Sequence, residues 1–324
     1  MLTAINQDGC LVNLVMDEPQ KNDHFYCPGC QGQVRLKQGT ILRPHFAHII
    51  LKDCHYAYEN ESAQHLELKS ALYRWLKHEV AVEIEALLPD LGQIADLLVE
   101  EKLALEVQCS SLSIQRLQER TKAYQDQGIE VLWLLGKDLW LKDKVTALQK
   151  QFLRFSQNMG FHLWELDLDK QVLRLRYLIH EDWHGQVQCL TKIFPFEKGR
   201  LLSILRQPYL PQPLLSFQGR MDQQLGRYIA QQLYYQAPKW MELQRQAYEK
   251  GENLLTQSLD DFYPQVRLPQ SPIGFAQIRD NLESYYQDFS SYYKKQQNKR
   301  VQQLYPPAFY RQETQSNLGR KALL

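Results

Sequence analysis

No stretch of this 324-residue chain approaches the roughly 20 consecutive apolar residues a helix needs to span a bilayer. The opening residues, MLTAINQDGCLVN, lack a basic segment followed by an apolar run. No secretory leader is therefore expected, and the expected compartment is the cytoplasm. Charge of one sign is also lacking: 38 Lys and Arg face 37 Asp and Glu. A net charge of +1 makes the chain no general polyanion binder, so any basic surface must be local. Cysteine is sparse. Six in this length make no disulfide scaffold, and in a reducing compartment closely spaced cysteines point to metal instead. Internal repeats are absent. Apolar residues, at 44%, are sufficient for a sizeable core, and the length suits two or three domains.

The texture changes twice along the chain. Residues 1–58 hold eight of the fifteen Cys and His: Cys10, His24, Cys27, Cys30, His45, His48, Cys54 and His55. Residues 59–137 alternate helix and strand signals. Residues 138–324 are rich in Gln, Tyr, Leu and Lys, in mostly helical patterns. A zinc-ribbon-like N-terminal domain, an α/β domain and a mainly α-helical C-terminal region are expected over these three spans. The Pro-interrupted stretch RQPYLPQPLLS (206–216) marks a joint, since Pro cannot continue a helix. Regular apolar spacing in the Gln-rich part after 222 argues for packed helices over disorder.

Cys27-Pro28-Gly29-Cys30 has the spacing of a zinc knuckle, with Pro and Gly fitting the tight turn that aims two thiolates at one ion. Fourteen residues on, His45 and His48 form a second pair at the same spacing. QGQVRLKQGTIL between them reads as a hairpin turning at Lys37-Gln38-Gly39. Two knuckles on hairpins make a zinc ribbon, and a Cys2His2 set of Cys27, Cys30, His45 and His48 is closed, hence structural. Cys54 or His55 could replace one histidine. A module of about 55 residues has too small a core to stand alone, so a metal staple is expected. The plainer alternative is a thiol pair with incidental histidines.

Residues 61–78 read as an amphipathic helix that places Glu61, His65 and Lys69 on one face, apart from a stripe of Leu66, Ala71, Leu72, Trp75 and Leu76. Val80 to Glu85 alternates apolar and acidic, as a strand does. Leu88 to Gly92 is turn chemistry, Gln93 to Val99 a second strand, Glu101-Lys102 a tight turn and Leu103 to Cys109 a third strand. Ser113 to Gln127 is a helix capped by Ser111 or Ser113 and followed by Gly128, and Ile129 to Leu135 is a buried parallel strand. The predicted order is αβββαβ. Glu106 and Gln108 face the same way from an otherwise buried strand, at a cost unless partnered. Asp96 lies mid-strand on the neighbouring arm, and is preferred to Asp90, which sits in the turn. A divalent ion is the simplest compensation: Asp96, Glu106 and Glu61 offer the hard oxygen ligands Mg²⁺ or Mn²⁺ takes, and such an ion can polarise a phosphate and activate a water. The plainer reading is a structural α/β domain whose carboxylates meet buried Arg or His. Arg116, Arg120 and Tyr124 recur at helical spacing, either as phosphate ligands or as a solvated face.

An acidic strand residue followed by an E-x-K-like strand resembles the PD-(D/E)XK nuclease superfamily, with Asp96 and Glu106-Val107-Gln108 as the match. Gln108 departs from the usual lysine, though some members carry Gln there. The resemblance implies a restriction-endonuclease-like core, with Lys69 or His65 supplying the missing role. Taken together, F-Y-C-P-G-C (25–30), R-P-H-F-A-H (43–48), E-S-x-x-H-x-x-x-K (61–69), A-D-L-L (95–98), E-V-Q-C-S (106–110), R-T-K-A-Y (120–124) and V-L-W-L-L-G (131–136) resemble the competence protein CoiA family of naturally transformable Gram-positive bacteria. That resemblance is strong over about 25–136 and weaker beyond. It implies a nuclease-like protein of competent cells, with incoming single-stranded DNA or recombination intermediates as substrate and recombination proteins as partners.

In the C-terminal region, 145–155, 221–250 and 278–303 read as helices, and 161–166 with 172–178 as a hairpin. After Phe289, seven basic residues (Lys294, Lys295, Lys299, Arg300, Arg311, Arg320 and Lys321) meet one acid, Glu313. With Tyr285, Tyr286, Tyr292 and Tyr293 they suit single-stranded DNA, or equally a helix that packs its tyrosines and solvates its lysines. Three functional expectations follow: a Mg²⁺-dependent DNA nuclease with Glu61, His65, Lys69, Asp96, Glu106 and Gln108 at its site; a non-catalytic DNA-binding or recombination-assisting protein, which Gln108 favours; and, more distantly, a zinc-ribbon regulator whose second domain only dimerises.

Overall fold

The computed structural model describes residues 1–20, 23–39, 43–50, 54, 56 and 61–321, with side chains to residue 315. The N-terminal module is one antiparallel sheet of short strands: β1 (Thr3–Ile5), β2 (Leu11–Asn13), β3 (Phe25–Tyr26), β4 (Gln33–Lys37) and β5 (His45–His48), in the order β2-β1-β3-β4-β5. The expected hairpin is β4 with β5, in register from Lys37↔His45 to Val34↔His48. Its core is small: Ala4, Leu14, Phe25, Val34, Leu36 and Phe46, joined by Cys27 and Cys54.

Next come α1 (Ala63–Leu76), β6 (Val82–Leu88), β7 (Gln93–Val99), β8 (Leu103–Gln108), α2 (Ile114–Asp126) and β9 (Glu130–Leu135), the predicted αβββαβ order. Local chemistry explains the boundaries. Ser62 caps α1 by accepting from His65 N, and Ser113 caps α2 by accepting from Arg116 N. Gly92, at φ 60°, closes the turn between β6 and β7. The β7–β8 turn is made by Glu100 and Glu101, one position earlier than expected, both in the left-handed region.

The remaining elements are α3 (Ala147–Gln151), β10 (Arg154–Ser156), β11 (Gly160–Asp167), β12 (Val172–Glu181), β13 (Val187–Pro195), α4 (Leu201–Leu205), β14 (Phe217–Gly219), α5 (Leu225–Tyr234), α6 (Pro238–Glu249), α7 (Glu283–Lys294), β15 (Gln302–Leu304) and α8 (Pro307–Lys321). The main sheet runs β13-β12-β11-β9-β8-β7-β6, with β10 added beside β11. The expected boundary near 137 and the mainly helical region beyond it are therefore corrected: β11 pairs parallel with β9, and a hairpin of long strands continues the sheet to Pro195. Helices prevail only after residue 200. The expected helix 221–250 is split between Tyr234 and Pro238, with Gln236 at φ 53°, and the one expected over 278–303 is reduced to α7.

Both faces of the main sheet are covered, which is why its inner strands are almost continuously apolar. Leu97, Val99, Leu105, Val107, Leu132 and Leu134 meet α1 and α4. Leu98, Ala104, Val131, Trp133 and Leu135 meet α2, α3 and α7. Each such Leu contributes on the order of 2 kcal/mol by leaving water. Tyr285, Phe289 and Tyr293 of α7 lie buried in this second core, so that stripe packs rather than facing solvent. Among the described residues, no helix is long and apolar enough to cross a membrane.

Candidate functional site

Two groups of side chains line a shared cavity of about 1270 Å³ between the N-terminal sheet and the β6 side of the main sheet. In the first, donor atoms of Cys27, Cys30, His48 and Cys54 all lie within 4.8 Å of one another. The turn after β3 forms as its spacing suggests: Gln31 N donates to Cys27 O at 2.9 Å, and Gly32 N to Cys30 Sγ at 3.3 Å. Gly29 is required there, because a Cβ would stand 2.6 Å from the Tyr56 ring. Cys30 Sγ lies 3.4 Å from His48 Nε2. The fourth member is Cys54 in place of the expected His45. A three-residue offset on a strand points side chains to opposite faces, so β5 can aim His48 or His45 at one point but not both; His45 Nδ1 instead sits 3.1 Å from Arg43 O. His55, the other alternative, lies outside the described residues. Burial pushes the Cys27 thiol up to about 12 and raises that of Cys54, and it lowers the imidazole of His48. Three thiols and one imidazole, closed off by apolar neighbours, fit a structural zinc ion.

The second group grows from α1 and a break in the pairing of β6 with β7. The ladder pairs Ile84 with Leu97 and Ala86 with Ala95, but skips Glu85 and Asp96 between them. Glu85 has a φ of 52°. Ile84 and Leu97 face α1, as do Glu85 and Asp96, whereas Ala86, Ala95 and Leu98 face the α2 core. The irregularity thus turns two carboxylates toward Glu61, His65 and Lys69. His65 Nε2 is 2.9 Å from Asp96 Oδ2, and Lys69 Nζ is 2.6 Å from Glu85 Oε1 and 3.6 Å from Asp96 Oδ1. Lys69 also ion-pairs with Glu61, whose other oxygen lies 2.6 Å from the amino group of Met1. Donor atoms of Glu61, His65 and Asp96 lie within 4.8 Å of one another.

Electrostatics follow from this crowding. Burial works to raise Glu61 and Asp96, but Lys69 and His65 outweigh it, holding Asp96 at about 2 and Glu61 below the usual carboxylate range. Burial works to lower His65 and Lys69, yet the carboxylates raise both, Lys69 well above its ordinary value. Lys69 is therefore a cation at any physiological pH, although only 1% of it is exposed.

Asp96 and Glu106 do not converge. The β7–β8 ladder ends at Leu97↔Leu105, one position short of both, and Asp96 Oδ2 accepts from Val107 N at 2.8 Å. Glu106, however, follows the unbroken alternation of β8 to the other face. There it accepts from Arg120 Nη2 at 2.9 Å and from the hydroxyl of Tyr124. Burial raises Glu106 despite Arg120. Arg120 also reaches Gln93 Oε1 at 3.3 Å and lies over the Trp133 ring. Tyr124 is fully buried, so it faces Glu106 and not a bound nucleic acid. Arg116 and Lys137 line the cavity, as do Glu106, Arg120 and Gln108, whose amide donates to Ser110 O at 2.8 Å.

Sequence reasoning missed Glu85. It read the residue only as the last acidic position of an alternating strand, and no local signal announces the irregularity. Asp90 stays in its exposed turn.

Residues 61–208 match the family model described as Competence protein CoiA, nuclease-like domain, and residues 14–57 match that described as Competence protein CoiA, N-terminal domain. Over 159 residues the chain is 36% identical to a curated protein of Bacillus subtilis (strain 168), Competence protein CoiA. That match takes in 48% of this chain and 40% of the relative. No solved structure matches.

Proposed function

The chain belongs to the competence protein CoiA family, and from that premise we propose that its acidic cluster is the centre of a divalent-metal-dependent DNA nuclease of PD-(D/E)XK type, acting in the cytoplasm on transformation or recombination intermediates. The observation that carries the reading is the gathering of Glu61, His65 and Asp96 around Lys69 at the interrupted register of β6 and β7. The αβββαβ order supports a restriction-endonuclease-like core for the same stretch.

Glu61, His65 and Asp96 are the residues that hold the ion; the imidazole among them shifts the preference from Mg²⁺ toward Mn²⁺. A divalent ion held by these residues would supply Lewis-acid polarisation of the phosphate and a water of lowered pKa. The chain's own groups supply the rest. Lys69, held protonated by three carboxylates, stabilises charge gathering on the phosphoryl oxygens and is not the base. Gln108 has nothing to titrate, so it can orient a water but not take its proton. Arg116 and Lys137, on the cavity wall, face the DNA backbone. Arg120 and Tyr124 keep Glu106 engaged on the wall of the same cavity.

Cleavage of labelled single- and double-stranded DNA with Mg²⁺ or Mn²⁺, beside Asp96→Ala and Glu61→Gln, tests this. Metal-dependent cutting that both variants abolish is the expected result. The second reading, a non-catalytic DNA-binding protein that assists recombination, is favoured by the engagement of Gln108 with Ser110 where lysine is usual. Retained binding with no cutting at either metal selects it.

A further inference from the structure

Glu85 lies outside the family motifs and outside the proposed ion-holding set, and it is built in at a cost. A non-glycine residue in the left-handed region is strained by about 1 kcal/mol or more. Its carboxylate is nonetheless fully engaged. Leu2 N donates to Oε1 at 2.7 Å, and Thr3 donates to Oε2 through both its backbone N and its hydroxyl at 2.8 Å. Lys69 Nζ donates to Oε1 at 2.6 Å. One buried carboxylate thus joins the first strand of the N-terminal module to the buried cation of the acidic site.

That strand belongs to both halves. Leu2 is fully buried in the core of α1, β7 and β8, whereas Ala4 is buried in the N-terminal core. It is held by the segments that carry the thiol–imidazole cluster: Ile5 pairs with Tyr26, next to Cys27, and Met1 O accepts from Phe46 N, two residues before His48.

We propose that Glu85 is a positioning residue through which the N-terminal metal module sets the acidic site. With its carboxylate fixed by β1, Glu85 takes up part of the Lys69 charge that would otherwise fall wholly on Glu61 and Asp96, where it competes with a divalent ion. For its metal-binding consequence this rests on the reading of the acidic site given above.

The test uses the full chain, with Mn²⁺ as probe. In Glu85→Gln the amide cannot accept from every donor around it, so the amides of Leu2 and Thr3 lose protection from hydrogen exchange. Lys69 then presses on Glu61 and Asp96, and Mn²⁺ affinity, read by electron paramagnetic resonance, falls about 10- to 100-fold, the range for partners of metal ligands. In a Lys69→Met background, Glu85→Gln costs no further Mn²⁺ affinity, because the competing cation is gone. Cys30→Ser, which opens the thiol–imidazole cluster, reproduces the loss of Mn²⁺ affinity. Equal losses with and without Lys69, or wild-type affinity in Cys30→Ser, overturn the proposal. If wild-type protein takes up no Mn²⁺, the metal-site reading fails separately. Exchange then decides: protected Leu2 and Thr3 amides in Glu85→Gln overturn the strut, and their exposure upholds it.

Discussion

The two clusters share a cavity and differ in what already neutralises them. Around Cys27, Cys30, His48 and Cys54 the neighbours are apolar, and the ordering contacts are backbone N–H groups and ring faces. Around Glu61 and Asp96 the counter-charges are built in: Lys69, His65 and the Met1 amino group. Donors without counter-charge are completed by an ion, which the fold then depends on. Donors with resident cations are satisfied before any ion arrives, so an ion there must compete and can leave. On the reading proposed above, the chain thus pairs a site suited to permanent metal with one suited to exchange.

The largest expected effect breaks the comparison at its N-terminal side. Structural zinc in small modules contributes on the order of 10 kcal/mol, far more than this small core supplies. Stripping the metal with a thiol-competitive chelator is expected to remove one zinc per chain and to leave residues 1–58 open to protease, while the main sheet still melts cooperatively. Calorimetry and mass spectrometry of the digest check this. A sheet that unfolds together with the module shows that the two halves are one cooperative unit. No change at all would sink the zinc assignment.

Next in size is removal of the resident cation. Lys69→Met leaves Glu61, Glu85 and Asp96 without their shared partner, and a buried charge stripped of its partner costs about 3–5 kcal/mol of stability. Divalent-ion affinity should rise as the competitor goes, while turnover falls about 100- to 1000-fold with the lost charge stabilisation. Tighter binding with slower cutting is the distinguishing result. Unchanged turnover removes Lys69 from the chemistry, and partial recovery in Lys69→Met/Gln108→Lys shows that one ammonium can act from either position.

The αβββαβ stretch was legible because caps, turns and alternation all agree there: Ser62, Ser113 and Gly92 sit where their chemistry demands. The same alternation hid the rest. It placed Asp96 and Glu106 together on adjacent strands, but the skipped Glu85–Asp96 pair turns Asp96 to α1 while Glu106 keeps to α2. His45 was chosen by the spacing of a turn, although it lies on a strand, where an odd offset reverses the face. Beyond residue 137 the hairpin expected over 161–166 and 172–178 is there as β11 and β12, but polar residues such as Gln188 and Lys192 within β13 masked the strand that follows, and no local signal told that the hairpin continues the main sheet.

The smallest expected effect sharpens the contrast within the acidic site itself, between Asp96 and Glu106. In metal-free protein the two neighbours shift in opposite directions. Burial raises both, but His65 and Lys69 take Asp96 down to about 2, whereas Arg120 leaves Glu106 still above its ordinary 4.5. Asp96, depressed from 3.8, adds stability that is complete above that value and lost as pH falls toward about 2. Glu106, raised, adds stability that is complete below 4.5 and lost as pH climbs through its folded value. Carbon-13 titration of the two carboxyls should therefore give midpoints in the usual order, Asp96 below Glu106, but set further apart than the ordinary 3.8 and 4.5. Tyr124→Phe removes one donor from the Glu106 carboxylate and costs about 1–3 kcal/mol. It should move the Glu106 midpoint further up and leave that of Asp96 in place. If both carboxyls move together, they share one site after all, and Glu106 returns to the ligand set.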